Sequence, residues 1–167
     1  MSLTPKLGKR AICGWALTII RTIRVQISES LQGEMKKTSV LLADRHPSLV
    51  EGLRNLLETL FDTVVMVSDE KSLIETLDRF DPDLVIVDLG MPVTRAQNVA
   101  DLLNRYDPEL KFIVLSTHEE RKVMESCKSS GASGYILKRS SAGNLIKAVE
   151  AVQDGGTFFS VDSEIPE

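Results

Sequence analysis

The stretch Asp81-Pro-Asp-Leu-Val-Ile-Val-Asp-Leu-Gly-Met-Pro92 decides the fold of this chain. Leu84 to Val87 form an apolar run that is too short for a helix and suits a strand buried on both faces. The run ends in the carboxylate of Asp88, and a turn with glycine and proline follows. Open parallel α/β sheets bind ligands at the carboxyl ends of their strands, so we expect Asp88 to lie in such a site.

Short strands and amphipathic helices alternate on both sides of this stretch. Apolar runs predict strands at 40–43, 63–67, 84–87, 112–115 and 135–137. Apolar residues three and four apart predict helices at 47–60, after a cap at Ser68, and at about 95–106, 119–129 and 142–153. Such alternation is typical of an α/β fold in which helices cover both faces of a parallel sheet. We therefore expect a doubly wound, five-stranded parallel sheet.

Composition limits the function classes. The chain has 167 residues, of which 43% are hydrophobic and 26% charged, enough for one full domain. Its net charge of −4 argues against a nucleic-acid-binding surface within these residues. Cys13 and Cys127 show no metal or disulfide spacing, which favours a reduced, cytoplasmic setting with both thiols as apolar filler.

Residues 1–34 depart from this pattern. Basic residues flank an apolar run from Ala11 to Ile20, as in a short amphipathic helix. A membrane span needs about 20 apolar residues, so no membrane crossing is expected. The alternative is a misassigned extension ahead of a natural start at Met35. The expected boundaries are an extension at 1–34, a domain at 35–154 and the start of a linker at 155–167.

Polar residues follow four of the five predicted strands: Asp44 with Arg45, Asp88, Ser116 and Lys138. Because parallel strands end at one edge of a sheet, we expect these side chains to converge. The set suits a carboxylate that attacks a phosphoryl group, while an ammonium, a hydroxyl and a divalent cation stabilise the phosphoryl oxygens. The alternative is a plain ion pair between Asp44 and Lys138.

Three stretches together resemble the receiver domain of bacterial response regulators: residues 81–92, Leu41-Leu-Ala-Asp-Arg-His-Pro47 and Gly131-Ala-Ser-Gly-Tyr-Ile-Leu-Lys138. His46-Pro47 and Gly155-Gly-Thr-Phe-Phe-Ser160 resemble its NarL/FixJ (LuxR-type) branch. The resemblance covers residues 38–160 and implies a (βα)5 flavodoxin-like receiver fold with strand order 2-1-3-4-5. It also implies that DNA contact belongs to an output domain absent from these residues.

The resemblance implies roles for individual residues. Asp88 is the phosphoacceptor, Ser116 and Lys138 bind the phosphoryl group, and Ser116 with Tyr135 forms the switch. In this family a sensor histidine kinase donates the phosphoryl group, and the face built from the fourth helix, fifth strand and fifth helix changes its affinity for partners. A homodimer is a further expected partner, and the chain is not expected to be an enzyme.

The expected metal ligands are Asp44, Asp88 and the backbone carbonyl of Gly90, which would hold Mg²⁺. Receivers usually carry two adjacent acids after the first strand, and here Arg45 replaces the second. Because Mg²⁺ requires near-octahedral oxygen coordination, its affinity should fall. Arg45 either pairs with Asp44 or Asp88 as a built-in cation, or extends into solvent beside a weaker metal site. The corresponding functions are a phosphorylatable receiver and a pseudo-receiver that acts as an interaction module.

Two further readings carry less weight. His46 and His118 show no spacing of a zinc site or catalytic dyad, although His118 could line the rim of the pocket. A phosphatase of the haloacid dehalogenase type needs a second acid two residues after the nucleophile, and this chain has Gly90 there.

Overall fold

Strands and helices alternate along the described part of the chain. The computed structural model describes residues 38–140 and 142–160, except the side chains of 47–50. The expectations for residues 1–34, for Cys13 and for 161–167 lie outside the described residues. The elements are β1 Ser39–Ala43, α1 Pro47–Leu57, β2 Thr63–Val67, α2 Glu70–Arg79, β3 Leu84–Asp88, α3 Val99–Tyr106, β4 Phe112–Ser116, α4 Arg121–Ser129, β5 Gly134–Leu137, α5 Ala142–Gln153 and β6 Phe158–Phe159.

The strands form one parallel sheet in the order β2-β1-β3-β4-β5-β6. The order of the first five strands confirms the expectation. β3 lies between β1 and β4 and is buried along its whole length, as its continuous apolar run predicted. Val87 of β3 pairs with Ala43 of β1, and this register places the residues that follow them side by side.

The expectation of five strands was wrong, because β6 adds a sixth at the edge beside β5. Gly134 pairs with Phe158, and Tyr135 pairs with Phe159. Two residues are too few to show a hydrophobic period, so this segment read as the start of a linker. Gly155, at φ +83°, turns the chain back after α5 and makes the pairing possible.

Three helices begin later than the sequence predicted, and for α2 and α3 a capping side chain explains why. Asn98 caps α3 by accepting a hydrogen bond from the backbone N–H of Asp101 at 3.0 Å. The residues before it form an irregular loop held by Thr94, whose N–H and hydroxyl both donate to Glu70 of α2. Asp69, rather than the predicted Ser68, caps α2. α4 likewise begins at Arg121 rather than near 119.

Helices cover both faces of the sheet, which confirms the doubly wound arrangement. One apolar cluster packs α2, α3 and α4 on one face, and the other packs α1 and α5 on the opposite face. Cys127 is buried in the first cluster, where burial raises the pKa of its thiol to about 11 and keeps it neutral. Within the described residues, no helix is both long enough and apolar enough to cross a bilayer.

Candidate functional site

Two carboxylates lie side by side at the carboxyl edge of the sheet. Asp88 ends β3, and Asp44 follows β1 directly, one residue beyond the Ala43–Val87 pair. Each is only 3% exposed. The backbone N–H of Asp44 donates to the carbonyl of Val67 and extends the pairing of β1 with β2 by one step. The sheet register therefore brings the two acids together, as the sequence predicted.

Lys138 bridges both carboxylates. It follows β5, and its Nζ lies 2.7 Å from Asp44 Oδ2 and 3.0 Å from Asp88 Oδ1. Its backbone N–H donates to the carbonyl of Ser116 at 2.7 Å, which fixes the start of the side chain beside β4. The predicted convergence is present for Asp44, Asp88 and Lys138, and it goes beyond a plain ion pair because one ammonium contacts two acids.

His46 also lies beside the acids. The sequence places it at a helix start near the site but predicts neither a metal-ligand nor a catalytic role for it. Its Nδ1 lies 2.9 Å from Asp44 Oδ1 and 3.5 Å from Asp88 Oδ2. Its backbone N–H also donates to Asp44 Oδ1 at 2.9 Å, so Asp44 folds the chain back over itself. The side chain is 51% exposed. In the sequence, this contact could have been recognised only from the position of His46 two residues after a strand-end acid. That spacing is not typical of zinc sites.

The two oxygens of Asp88 have different surroundings. Oδ1 accepts a hydrogen bond from the backbone N–H of Gly90 at 2.9 Å and contacts the ammonium of Lys138. Oδ2 is buried and has no hydrogen-bond partner among the residues that the structure describes. A buried oxygen without a partner costs about 1–3 kcal/mol, so such an atom is a candidate contact for a bound group.

The charge of Asp44 is stabilised by its neighbours. Burial by itself would raise the pKa of this carboxyl, but hydrogen bonds from Lys138 and from the backbone and ring of His46 outweigh burial. The net effect holds the pKa of Asp44 below its ordinary value. Asp44 is therefore an anion at neutral pH and can serve as a cation ligand.

Ser116 and Tyr135 both hold the loop between β4 and α4. The backbone N–H of His118 donates to Ser116 Oγ at 3.0 Å, and the Tyr135 hydroxyl donates to the His118 carbonyl at 2.7 Å. Tyr135 is fully buried, and burial raises the pKa of its hydroxyl. The His118 ring itself is exposed, 3.6 Å from Glu120, and lines a surface depression beside this loop.

Arg45 is not paired with either acid among the described residues. Its side chain is exposed, and within residues 38–140 and 142–160 it forms no ion pair with Asp44 or Asp88. Of the two alternatives left by the sequence, the structure has the one in which Arg45 extends into solvent. The positive charge inside the site comes from Lys138 instead.

The donor set fits a divalent cation. Asp44, His46 and Asp88 each offer one ligand atom, and these atoms lie within 4.8 Å of one another. The unpaired Asp88 Oδ2 gives a cation an oxygen that no described protein group uses. A divalent cation there would neutralise charge on the acids and on a phosphoryl group beside them.

The chain matches known proteins along most of its described length. Residues 40–150 match the family model described as "response regulator receiver domain". The transcriptional regulatory protein MctR of Rhizobium johnstonii is 34% identical over 130 residues, which are 76% of this chain and 60% of that protein. The transcriptional regulatory protein DegU of Brevibacillus brevis is 34% identical over 125 residues, 74% of this chain and 53% of that protein. The chain thus spans between half and two thirds of the length of these relatives.

The fold is also similar to that of a solved response regulator structure. A LuxR-family two-component response regulator from Aurantimonas sp. SI85-9A1 superposes with a TM-score of 0.68 at 26% identity, covering 76% of this chain and 92% of that one. The two relatives named above are transcriptional regulatory proteins. The family model alone covers well over half of the 167 residues. On this evidence, together with the parallel sheet and its edge of acids and lysine, the chain belongs to the response regulator receiver domain family.

Proposed function

We propose that this receiver domain accepts a phosphoryl group on Asp88 from a sensor histidine kinase. The observation that carries the proposal is the state of the two Asp88 oxygens. Lys138 and the Gly90 N–H hold Oδ1, while the buried Oδ2 keeps its lone pairs free of hydrogen bonds among the described residues. A fixed carboxylate with one free oxygen is suited to attack phosphorus.

The residues around Asp88 supply what the transfer needs. An Asp88 oxygen forms a bond to phosphorus as the bond to the donor nitrogen breaks, and the electron pair stays on the donor imidazole. The ammonium of Lys138 is 3.0 Å from Asp88 Oδ1 and is placed to contact the phosphoryl oxygens once they arrive. Asp44 and Asp88 are the carboxylates that would hold the cation. Mg²⁺ is the proposed cofactor, with weak affinity because Arg45 replaces one acid.

The switch that we propose runs through the loop between β4 and α4. Ser116 Oγ now accepts from the His118 N–H, so turning the hydroxyl toward a phosphoryl group would give up this bond. The Tyr135 hydroxyl donates to the carbonyl of the same His118. A movement of the loop would therefore change or break this hydrogen bond. Tyr135 lies on β5 and the loop leads into α4, and both elements belong to the α4-β5-α5 face that we propose changes its affinity for partners.

Incubation with acetyl phosphate and Mg²⁺ tests the phosphoacceptor. We expect the intact protein to gain the mass of one phosphoryl group, and Asp88→Asn to gain none because an amide is not a nucleophile at neutral pH. Asp101→Asn is the matched control, because this acid lies on α3 and its side chain accepts a hydrogen bond from the Gln97 N–H instead of contacting the site. An unmodified parent protein under saturating Mg²⁺ would contradict the proposal.

A second candidate function has its own support. Arg45 stands where the receiver family has an acid, and it extends into solvent, which leaves the cation site one carboxylate short. A pseudo-receiver would keep the fold and its partner-binding face without phosphorylation. The acetyl phosphate experiment separates the two candidates, because only the first gives an adduct that depends on Asp88.

The partners of the whole protein follow from its relatives. We infer that the parent protein is a cytoplasmic transcriptional regulator that forms homodimers and reaches DNA through an output domain outside these residues. Two observations support this inference. The relatives are transcriptional regulators of which the chain spans only part, and the chain itself carries a net charge of −4.

A further inference from the structure

We propose that His46 supplies a nitrogen ligand to the cation site, in place of the carboxylate that Arg45 has replaced. The site then takes a borderline transition metal, represented by Zn²⁺, through Asp44, His46 and Asp88. This inference rests on the proposed function for the location of the cation. It does not require phosphorylation, so the two can fail separately.

Lys138 contacts one oxygen of each carboxylate, and His46 lies beside the other oxygen of each. Lys138 Nζ contacts Asp44 Oδ2 and Asp88 Oδ1. His46 Nδ1 lies beside the other two, at 2.9 Å from Asp44 Oδ1 and 3.5 Å from Asp88 Oδ2. One nitrogen and two oxygens are thus grouped together, and the ammonium of Lys138 lies beside this group, 3.5 Å from His46 Nδ1.

The separations within this group match those of ligands around one small cation. Zinc lies about 2.0–2.2 Å from nitrogen and oxygen ligands, so two of them are roughly 3.0 Å apart at a right angle and about 3.4 Å apart at a tetrahedral angle. The observed distances from His46 Nδ1 to the two carboxylate oxygens are 2.9 and 3.5 Å. His46 Nδ1 is therefore placed to share an ion with an oxygen of either carboxylate.

An independent observation points to a ligand at the same place. The side chain of Asp88 is only 4% exposed, and its Oδ2 lacks a hydrogen-bond partner among the described residues. This oxygen lies 3.5 Å from His46 Nδ1. A cation bound to both atoms would satisfy the oxygen, which Lys138 does not contact within hydrogen-bonding distance.

Charge balance also permits a dication. The two carboxylates and the single ammonium leave one negative charge uncompensated, and the imidazole contributes none when neutral. Neutral imidazole binds through Nδ1 when its proton is on Nε2. Because the His46 ring is 51% exposed, water can accept the Nε2 proton. The tautomer needed for binding is therefore accessible without burying an unpaired N–H.

The type of ligand sets the type of metal. Mg²⁺ prefers six oxygens in octahedral geometry, whereas imidazole suits zinc, copper, iron and nickel. Any mixed nitrogen and oxygen site binds Zn²⁺ more tightly than Mg²⁺, so a ratio of affinities proves nothing about His46. The informative quantity is the loss of binding affinity for each metal when the imidazole is removed.

Isothermal titration of the untagged full chain with Zn²⁺ and with Mg²⁺ tests the proposal. His46→Ala should lower the Zn²⁺ affinity by about 10- to 100-fold, the loss expected for a group that a metal site depends on. The Mg²⁺ affinity should change less than about twofold, because oxygen ligands remain. Asp88→Ala should weaken both metals.

His118→Ala is the matched control, because the chain has two histidines and the His118 ring is also exposed near the site. It should leave both affinities unchanged. Equal losses of Zn²⁺ affinity in His46→Ala and His118→Ala, or none in either, would overturn the proposal. So would unchanged Zn²⁺ binding in Asp88→Ala, since the ion would then lie elsewhere.

Imidazole resonances in ¹⁵N spectra give a second readout that does not depend on a mutation. Zn²⁺ should shift Nδ1 of His46 and leave His118 unshifted; the reverse pattern would overturn the proposal. Misfolding is not a concern for His46→Ala, since the side chain makes no capping hydrogen bond to α1. A chain that binds Zn²⁺ through His46 but gains no phosphoryl group would support this inference while contradicting the proposed function.

Discussion

At the scale of the residue, Gly131 shows how tightly a turn can specify its occupant. Its φ is +84°, and a Cβ at this position would lie 2.7 Å from Asn104 Oδ1. Gly155 has a similar φ of +83°, but its Cβ would meet nothing within 4 Å. The two glycines therefore separate backbone strain from steric contact.

Gly131→Ala should destabilise the domain more than Gly155→Ala. Both substitutions force alanine into the left-handed region, at a cost of about 1–2 kcal/mol. Gly131→Ala adds the clash with Asn104, and Asn104→Ala in the same chain should recover that added part. Urea unfolding of the three variants provides the measurement. Equal losses at the two glycines would show that the loop around Gly131 moves aside.

Residue by residue, the site was largely predictable. Asp44, Asp88 and Lys138 converge as expected because each follows a strand, and parallel strands end at one edge. The sequence placed His46 near the site but predicted no contact with Asp44, because His46 lies two residues beyond its strand. Its position depends on the hydrogen bond from its N–H to Asp44, a local fold that strand periodicity does not reveal.

At the scale of the element, the cap of α3 controls where that helix begins. Asn98 accepts from the N–H of Asp101 and is half-buried ahead of Val99. Asn98→Ala should lower the free energy of unfolding by about 1 kcal/mol, the usual cost of losing a capping side chain. Asn98→Ser keeps an acceptor and should lose much less. Urea unfolding checks this, and equal stability of the alanine variant and the parent would contradict it.

Strands were predicted more accurately than helix ends. The first five strands lie within one residue of their predicted bounds, since a run such as Leu84 to Val87 reports burial directly. The start of α3 depends on Asn98 and on the preceding loop, where Thr94 donates a hydrogen bond to Glu70. Thr94 and Glu70 are 24 residues apart in the sequence. β6 was missed because pairing with β5, and not its own sequence period, makes it a strand.

At the scale of the whole molecule, acid should weaken the fold. Among the described residues, four carboxyls have pKa values held below their ordinary values: Asp44, Asp69, Glu70 and Asp101. For Asp69, Glu70 and Asp101 a backbone hydrogen bond is the largest cause, and for Asp44 hydrogen bonds outweigh the opposing effect of burial. Because the unfolded chain takes up these protons more readily, their contribution is present above the ordinary values of 3.8 for Asp and 4.5 for Glu. It is lost as the pH falls through the lower folded values.

The midpoint of urea unfolding should therefore fall steadily between about pH 5 and pH 3. Asp69→Asn keeps an acceptor for the N–H of Ser72 but cannot titrate, so its midpoint should fall less steeply than that of the parent. Parallel curves for the two proteins would mean that Asp69 does not contribute to acid sensitivity. Asp62→Asn serves as the control, because it is an exposed acid away from the helix caps.

The contact between Lys138 and Asp44 also has a consequence in time. The two residues are 94 positions apart in the chain, and β3 and β4 lie between their strands in the sheet. During synthesis, a chain that has emerged only through β4 carries both acids without their shared counter-ion. Lys138 reaches the two acids only after β5 has paired with β4. The site therefore gains its positive charge only after β5 has left the ribosome.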